Sequence, residues 1–320
     1  MRGDRMSESK TRDWLLSHHQ NDQQTQTKGS RRLTGRAKTI AIASGKGGVG
    51  KTSVSIKTAK ILADQGYKVL LIDCDYNLSN TAVKLGIPLD NKFNEFVNSN
   101  LEFSQSIYQD GQFHLLKGCN GNEDLFENQS MVDRILFEVM AQQENNYDFI
   151  LLDCPAGLVK ENLSICAYCD HRMVVLAPDR SSITDAYSLV KILNNKYGVN
   201  DFHLVLNKIS SETQYLRLIK AFGDTVNQFL QCRVRVLGGI RFQTESVDQF
   251  DQELLKSAGT NIHSDFIKII KSFTDEYLDD VPSHEGISRL PLSGNRIGKA
   301  ISVTPYRGPQ QGQEVRTNHI

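Results

Sequence analysis

Two lysines, a set of glycines and a hydroxyl stand together in Gly45-Lys46-Gly47-Gly48-Val49-Gly50-Lys51-Thr52, with Ser53 next in line. The spacing G-x-x-x-x-G-K-[ST] is that of a loop whose backbone N–H groups curl around an anion. Glycines permit the conformations this requires, and the positive end of a following helix adds to the attraction. Lys51 is then placed to meet the β- and γ-phosphates of a nucleoside triphosphate, and the Thr52 hydroxyl to hold Mg²⁺. The setting agrees: the apolar run 39–44 precedes the loop as a strand, and 52–63 follows it with a helical pattern. Lys46 stands so early in the loop that the backbone blocks it from folding back onto its own γ-phosphate.

Carboxylates able to complete such a site follow downstream. The buried-strand run 67–72 ends in Asp73-Cys74-Asp75, and alternation along an extended chain lets Asp73 and Asp75 face one side while Cys74 faces the other. One of the pair could hold waters of a Mg²⁺ ion while the other positions an attacking water. A further apolar strand, 147–152, ends in Asp153, followed by Cys154-Pro155-Ala156-Gly157. Carboxylates at strand C-termini lie beside a phosphate loop in open α/β sheets.

The elements that must position these groups are also readable. Strands are expected at 113–116, 172–177, 202–207 and 235–237 as well, and helices at 131–143, 182–196, 212–229 and 262–278. Strands alternating with helices predict a doubly wound, mostly parallel α/β sheet, and with its phosphate loop this resembles the phosphate-loop NTPase (SIMIBI) fold. The 262–278 helix carries Ile262, Phe266, Ile269, Ile270, Phe273 and Tyr277 on one face; its acidic end argues for core packing rather than a membrane surface. Residues 1–37 are polar and expected to be disordered, apart from an apolar knot at Trp14-Leu15-Leu16 that reads either as chance or as a short partner-binding helix. Residues 38–280 form the ATPase-like domain, and 281–320 read as a flexible, proline-containing tail.

Composition narrows the function classes. The chain has 320 residues, with 37 Lys+Arg against 37 Asp+Glu, so no global field favours DNA or an anionic membrane. Six scattered cysteines and the lack of a signal peptide suggest a reducing cytoplasm. The isolated Cys166-x-x-Cys169 reads as buried small residues rather than a metal or redox pair.

The doubly lysined loop resembles that of the MinD/ParA family of deviant phosphate-loop ATPases. The resemblance extends to Leu78-Ser79-Asn80 with Leu85-Gly86-Ile87 as the first switch, and to Val205-Leu206-Asn207-Lys208. Ser182-Ile183-Thr184-Asp185-Ala186-Tyr187 is most similar to the flagellar branch, FlhG (also FleN or YlxH). The resemblance implies ATP and Mg²⁺ as ligands and an ATP-bound homodimer in which Lys46 crosses to the partner's nucleotide. It implies Asp75 as the water-positioning residue, Asp73 and Asp153 near the metal with Thr52, a γ-phosphate-sensing N–H near Gly157, and Asn207 reading the adenine edge. It also implies peripheral attachment to the inner membrane face, and an FlhF-like GTPase or flagellar switch proteins as partners. The sequence departs from the family at Asn77, where glycine is usual, and at Arg241, where proline is usual. Its Asp22-Gln23-Gln24 is only part of the FlhG activator motif, and its tail has no clear membrane helix. ParA-type DNA partition and a non-hydrolysing ATP-binding scaffold stay open as alternatives at this level.

Overall fold

The alternation of apolar runs and helical patterns builds one twisted sheet covered on both faces. The computed structural model describes residues 35–75, 79–118, 129–244, 246–256 and 258–278. Residues 1–34 with Trp14-Leu15-Leu16, Asn77, Leu78 and the tail after 280 lie outside the described residues, whereas 35–37 of the expected N-terminal tail are described and Ala37 is buried. The strands are β1 (Lys38–Ala43), β2 (Val69–Asp73), β3 (Tyr108–Asp110), β4 (Phe113–Leu116), β5 (Phe149–Asp153), β6 (His171–Leu176), β7 (Asp201–Ile209) and β8 (Arg233–Arg241). The helices are α1 (Lys51–Asp64), α2 (Asn80–Lys84), α3 (Lys92–Val97), α4 (Phe103–Ser106), α5 (Gln129–Gln143), α6 (Lys160–Tyr168), α7 (Arg180–Tyr197), α8 (Glu212–Phe229), α9 (Val247–Leu255) and α10 (Asn261–Leu278).

The sheet runs β3-β4-β2-β5-β1-β6-β7-β8. Only the edge pair β3–β4 is antiparallel; every other neighbouring pair is parallel. Parallel neighbours require crossovers, and helices supply them. From β1 the chain winds out to β2 and β4, returns through β5, then passes β1 to β6, β7 and β8. The reversal beside β1 opens a crevice at the carboxyl ends of the strands, where such sheets bind ligands. Register completes the arrangement: Asp73 pairs with Asp153, and Asp153 pairs with Ile42, so two carboxylates sit side by side next to the strand that feeds the loop.

The strands are buried on both faces, which explains their near-continuous apolar sequences. One core gathers under α5–α8, with Leu152, Leu189 and Phe222 among its members; the other lies under α1, α9 and α10, with Ile56, Leu151 and Phe266. In α10, Ile262, Phe266, Ile269, Ile270 and Phe273 are all buried, in agreement with the core-packing reading. Cys166 and Cys169 are buried too, and among the described residues no three His, Cys, Asp or Glu side chains could hold a metal together.

Two expectations need correction. The 235–237 strand is far longer, Arg233–Arg241, because Gly238 and Gly239 let it run on past a bulge opposite Val205. The stretch from 79 to 110, left almost unassigned from sequence, holds α2, α3, α4 and β3; each spans six residues or fewer, too short for periodicity to register.

Candidate functional site

The loop between β1 and α1 is held from several sides. The Ser44 hydroxyl donates to the Lys46 carbonyl (2.8 Å). Gly50 caps α1 at φ 95°, a left-handed conformation natural for glycine. A Cβ on Gly50 would collide with the Asn207 side-chain amide, and one on Gly45 with the Asp185 carbonyl of α7. The loop is therefore pressed between the ends of β7 and α7, and two of its glycines are there because nothing larger fits.

Asn207 sits at 7 % exposure near the end of β7. Its Nδ2 donates to the Val49 carbonyl (2.7 Å), and its Oδ1 accepts from the Lys208 backbone N–H (2.8 Å). Lys208, at φ 59°, sends its ammonium to the Gly48 carbonyl (2.9 Å). Asn207 and Lys208 thus brace the phosphate loop, and Asn207 also borders the cavity beside it. Lys208 was missed from sequence, since nothing in a strand run announces a left-handed residue at its end.

The three expected carboxylates do converge. Asp73 is buried and accepts from Thr81 Oγ1 (2.6 Å), Ser79 Oγ (2.8 Å) and the Asp75 N–H (3.1 Å). Burial, reinforced by the neighbouring Asp153, pushes its pKa up to about 7. Asp153 is likewise raised by burial, opposed by Lys51 and by hydrogen bonds from Thr52 and Ser55 (2.9 Å). Asp75 is half-buried and raised by desolvation, with Lys51 again opposing. Lys51 is the cation that Asp75 and Asp153 feel. Adjacent buried carboxylates and the Thr52 hydroxyl are hard oxygen donors that suit Mg²⁺, an ion that takes few protein ligands and completes its shell with phosphate and water. Ser79 lies in the segment that resembles a first switch, whereas Thr81 and Ser55, which also orient the acids, carry no sequence signal of their own.

Two expected groups are placed differently. The Gly157 N–H donates to the Ser44 carbonyl (3.1 Å), and the Asn162 amide holds the Gly157 carbonyl (2.7 Å). The Gly157 N–H itself is thus engaged with the strand that feeds the loop. Lys46 Nζ donates to Asp179 Oδ1 (2.8 Å) and Ser181 Oγ (2.6 Å), at the N-terminus of α7. Asp179 also caps α7 through the Ser182 N–H, and Lys46 first, then these bonds, hold its carboxyl well below the usual range. Lys46, Lys51, Thr52, Asp73, Asp75, Asp153 and Asn207 border one cavity of about 530 Å³. Its far end is formed by Arg241, Phe242, Gln243 and Phe250, with Arg241 fastened to Asp265 (2.9 Å).

A family model described as an AAA domain matches residues 37–202. The antiactivator FleN of Pseudomonas aeruginosa is 29 % identical over 209 residues, covering 65 % of this chain and 74 % of FleN. The flagellum site-determining protein YlxH of Helicobacter pylori is 29 % identical, covering 64 % and 70 %. The septum site-determining protein MinD of Pyrococcus horikoshii, solved with Mg-ADP, superposes with a TM-score of 0.62 at 25 % identity, covering 75 % of this chain and 97 % of that one. The chain belongs to this AAA domain family, as a MinD/ParA-type member. For a MinD/ParA-type chain the phosphate loop is the expected centre, and here the sheet register brings Asp73 and Asp153 to it without any contribution from a second subunit. No helix of the described residues is long and apolar enough to cross a membrane.

Proposed function

We propose that this protein is an ATP-hydrolysing, dimerising switch that controls a positioning process at the cell membrane, as its FleN and YlxH relatives suggest for flagella. The observation that carries the proposal is the placement of the two loop lysines. Lys51 faces the carboxylates, whereas Lys46 is carried sideways to Asp179 and Ser181. A cation on the flank of its own site is disposed to serve another.

In the proposed cycle the loop N–H groups and Lys51 bind the triphosphate of ATP. Thr52 and Asp153, with Asp73 behind them, would hold Mg²⁺, which supplies neutralising charge at the β- and γ-phosphates. Asp75, half-buried and with a raised pKa, orients the attacking water and can take up part of its proton. On dimerisation the partner's Lys46 leaves Asp179 and adds transition-state charge, as an arginine finger does elsewhere. Hydrolysis returns the monomer, so lifetime is set by chemistry. The balanced charge of the chain speaks against DNA as the partner surface; FlhF-like GTPases or flagellar switch proteins fit the reading better, and an inner-membrane contact would need a local patch.

The test is light scattering of the full chain with Mg²⁺ and a non-hydrolysable ATP analogue, alongside turnover measured across protein concentration. Dimers with analogue, turnover rising with concentration, and loss of that rise in Lys46→Ala are expected. A monomer under all conditions, or unchanged turnover in Lys46→Ala, would overturn the proposal.

A further inference from the structure

A lysine is almost never enclosed by a fold unless an acid sits beside it. Lys57, at the end of the second turn of α1, is 2 % exposed, and its hydrogen-bond partner is neutral: the ammonium donates to the Lys256 backbone carbonyl (2.6 Å). Burial lowers its pKa, Asp64 opposes that from the exposed end of α1, and Lys60 adds to it. The same charge reaches His263 of α10, which burial and then Lys57 lower. Replacing a buried cation of this kind by an apolar side chain of similar length is often neutral or stabilising, because a desolvation penalty disappears. Stability alone gives no reason for a lysine at 57.

The place of its partner supplies one. Lys256 caps the C-terminus of α9, where the last carbonyls carry partial negative charge and favour a cation. Helix α9 is a wall of the nucleotide cavity: Phe250 borders the space, and Asp251 grips Lys84 of α2, which borders it too (2.6 Å). Buried Leu254 packs the helix into the core between these two attachments. Lys57 belongs to the helix whose first residues, Lys51 and Thr52, face the same cavity. Six residues separate Lys57 from Lys51, about 9 Å along one rigid rod. One helix thus meets the phosphates at its start and holds the opposite wall from its second turn.

We infer that Lys57 is a positioning residue of this site: by tying the C-terminus of α9 to the phosphate-loop helix it holds that wall of the cavity in place and slows the escape of bound nucleotide. This rests on the nucleotide-binding reading above and adds to it the side chain that governs release. Lys57 touches no ligand and acts through α9. An apolar residue could fill the same space but could not hold the carbonyl, so the buried charge serves dwell time at the expense of stability.

The experiment is stopped-flow release of a fluorescent, ribose-labelled ADP, with Mg²⁺, from the full-length protein, Lys57→Met, Asp251→Asn and the double variant. Melts of each are measured without nucleotide. Losing a hydrogen bond from a charged donor predicts that Lys57→Met releases the label about tenfold faster. Its melting temperature should rise or stay within about 3 °C of the parent, since the buried charge is gone. Asp251→Asn loosens the same wall at its other attachment, so the double variant should release more slowly than the product of the two single effects requires. Release from Lys57→Met accelerated by less than about threefold overturns the inference. So does a melting temperature that falls further than the stated margin, the mark of a loosened fold, or a double variant whose effects simply multiply, which would place the influence of Lys57 away from α9. A parent that takes up no label would remove the nucleotide reading itself, whereas failure in the variants alone leaves that reading standing.

Discussion

Asn207→Ala separates two roles for one side chain. In the structure the amide makes two short bonds inside a nearly closed setting, to the Val49 carbonyl (2.7 Å) and from the Lys208 N–H (2.8 Å). Truncation removes both and leaves a loop carbonyl and a backbone N–H short of partners. Two neutral hydrogen bonds contribute about 1 kcal/mol each, and incomplete rehydration of the orphaned groups adds to that, so about 2–3 kcal/mol is expected. In a domain of this size that corresponds to a fall in melting temperature of about 5–10 °C. Calorimetry without nucleotide measures it, and titrations with ATP, GTP and tripolyphosphate supply the second half of the test. A brace predicts the thermal loss with no ligand present and a parallel weakening for all three ligands, because the phosphate loop itself is loosened. A base reader predicts an intact melting temperature and a loss confined to ATP. Melting within about 1 °C of the parent together with an ATP-only defect would refute the brace.

Gly45→Ala should cost at least about 1–3 kcal/mol, seen in thermal melts and as weakened ATP binding, because its Cβ would meet the backbone of Asp185, which cannot swing aside. Asp179→Asn keeps a good cap on α7 but removes the charge that holds Lys46; if dimerisation draws Lys46 away, the ATP-dependent dimer should form at about two- to fivefold lower protein concentration by sedimentation velocity. No change would show that this ion pair does not compete with assembly. Burial lowers His114, His171 and His203 to about 4. Their folded values lie below the unfolded value near 6.5, so falling pH protonates the unfolded chain first, and stability drops between about pH 6.5 and 4. His114 alone accounts for about 3 kcal/mol of this, and melts of His114→Gln across that window should show a shallower slope than the parent.

What could be read from the chain was whatever repeats along it or sits at a fixed spacing. The phosphate loop, the strand-end acids Asp73, Asp75 and Asp153, and the face of α10 are of that kind. The sheet followed as well, since parallel strands buried on both faces read as unbroken apolar runs. The side chains that finish the site are of another kind. Asp179 meets Lys46 across 133 positions, and Asn207 meets Val49 across 158. A residue's partner at such separation is decided by the crossover that returns it to the crevice, which no local pattern encodes.

The short helix α2 shows how the two ends of the cavity are joined. With five residues it has too few internal hydrogen bonds to stand alone, so its contacts hold it in place. At its start Ser79 and Thr81 bond the carboxylate of Asp73; at its end Lys84 pairs with Asp251 of α9 (2.6 Å). Helix α9 is in turn tied to the phosphate-loop helix, where buried Lys57 on α1 donates to the Lys256 carbonyl at its C-terminus (2.6 Å). These bonds make a closed circuit from the metal-side acid through α2 and α9 back to α1, with Phe250 on its inner side. A helix without stability of its own can shift when either end of that circuit is loaded. Val83 on the same helix is 62 % exposed, so such a shift would reach the molecular surface. In the dimeric cycle proposed above, a face at the molecular surface that moves with α2 would make occupancy of the site legible from outside without any large rearrangement of the sheet.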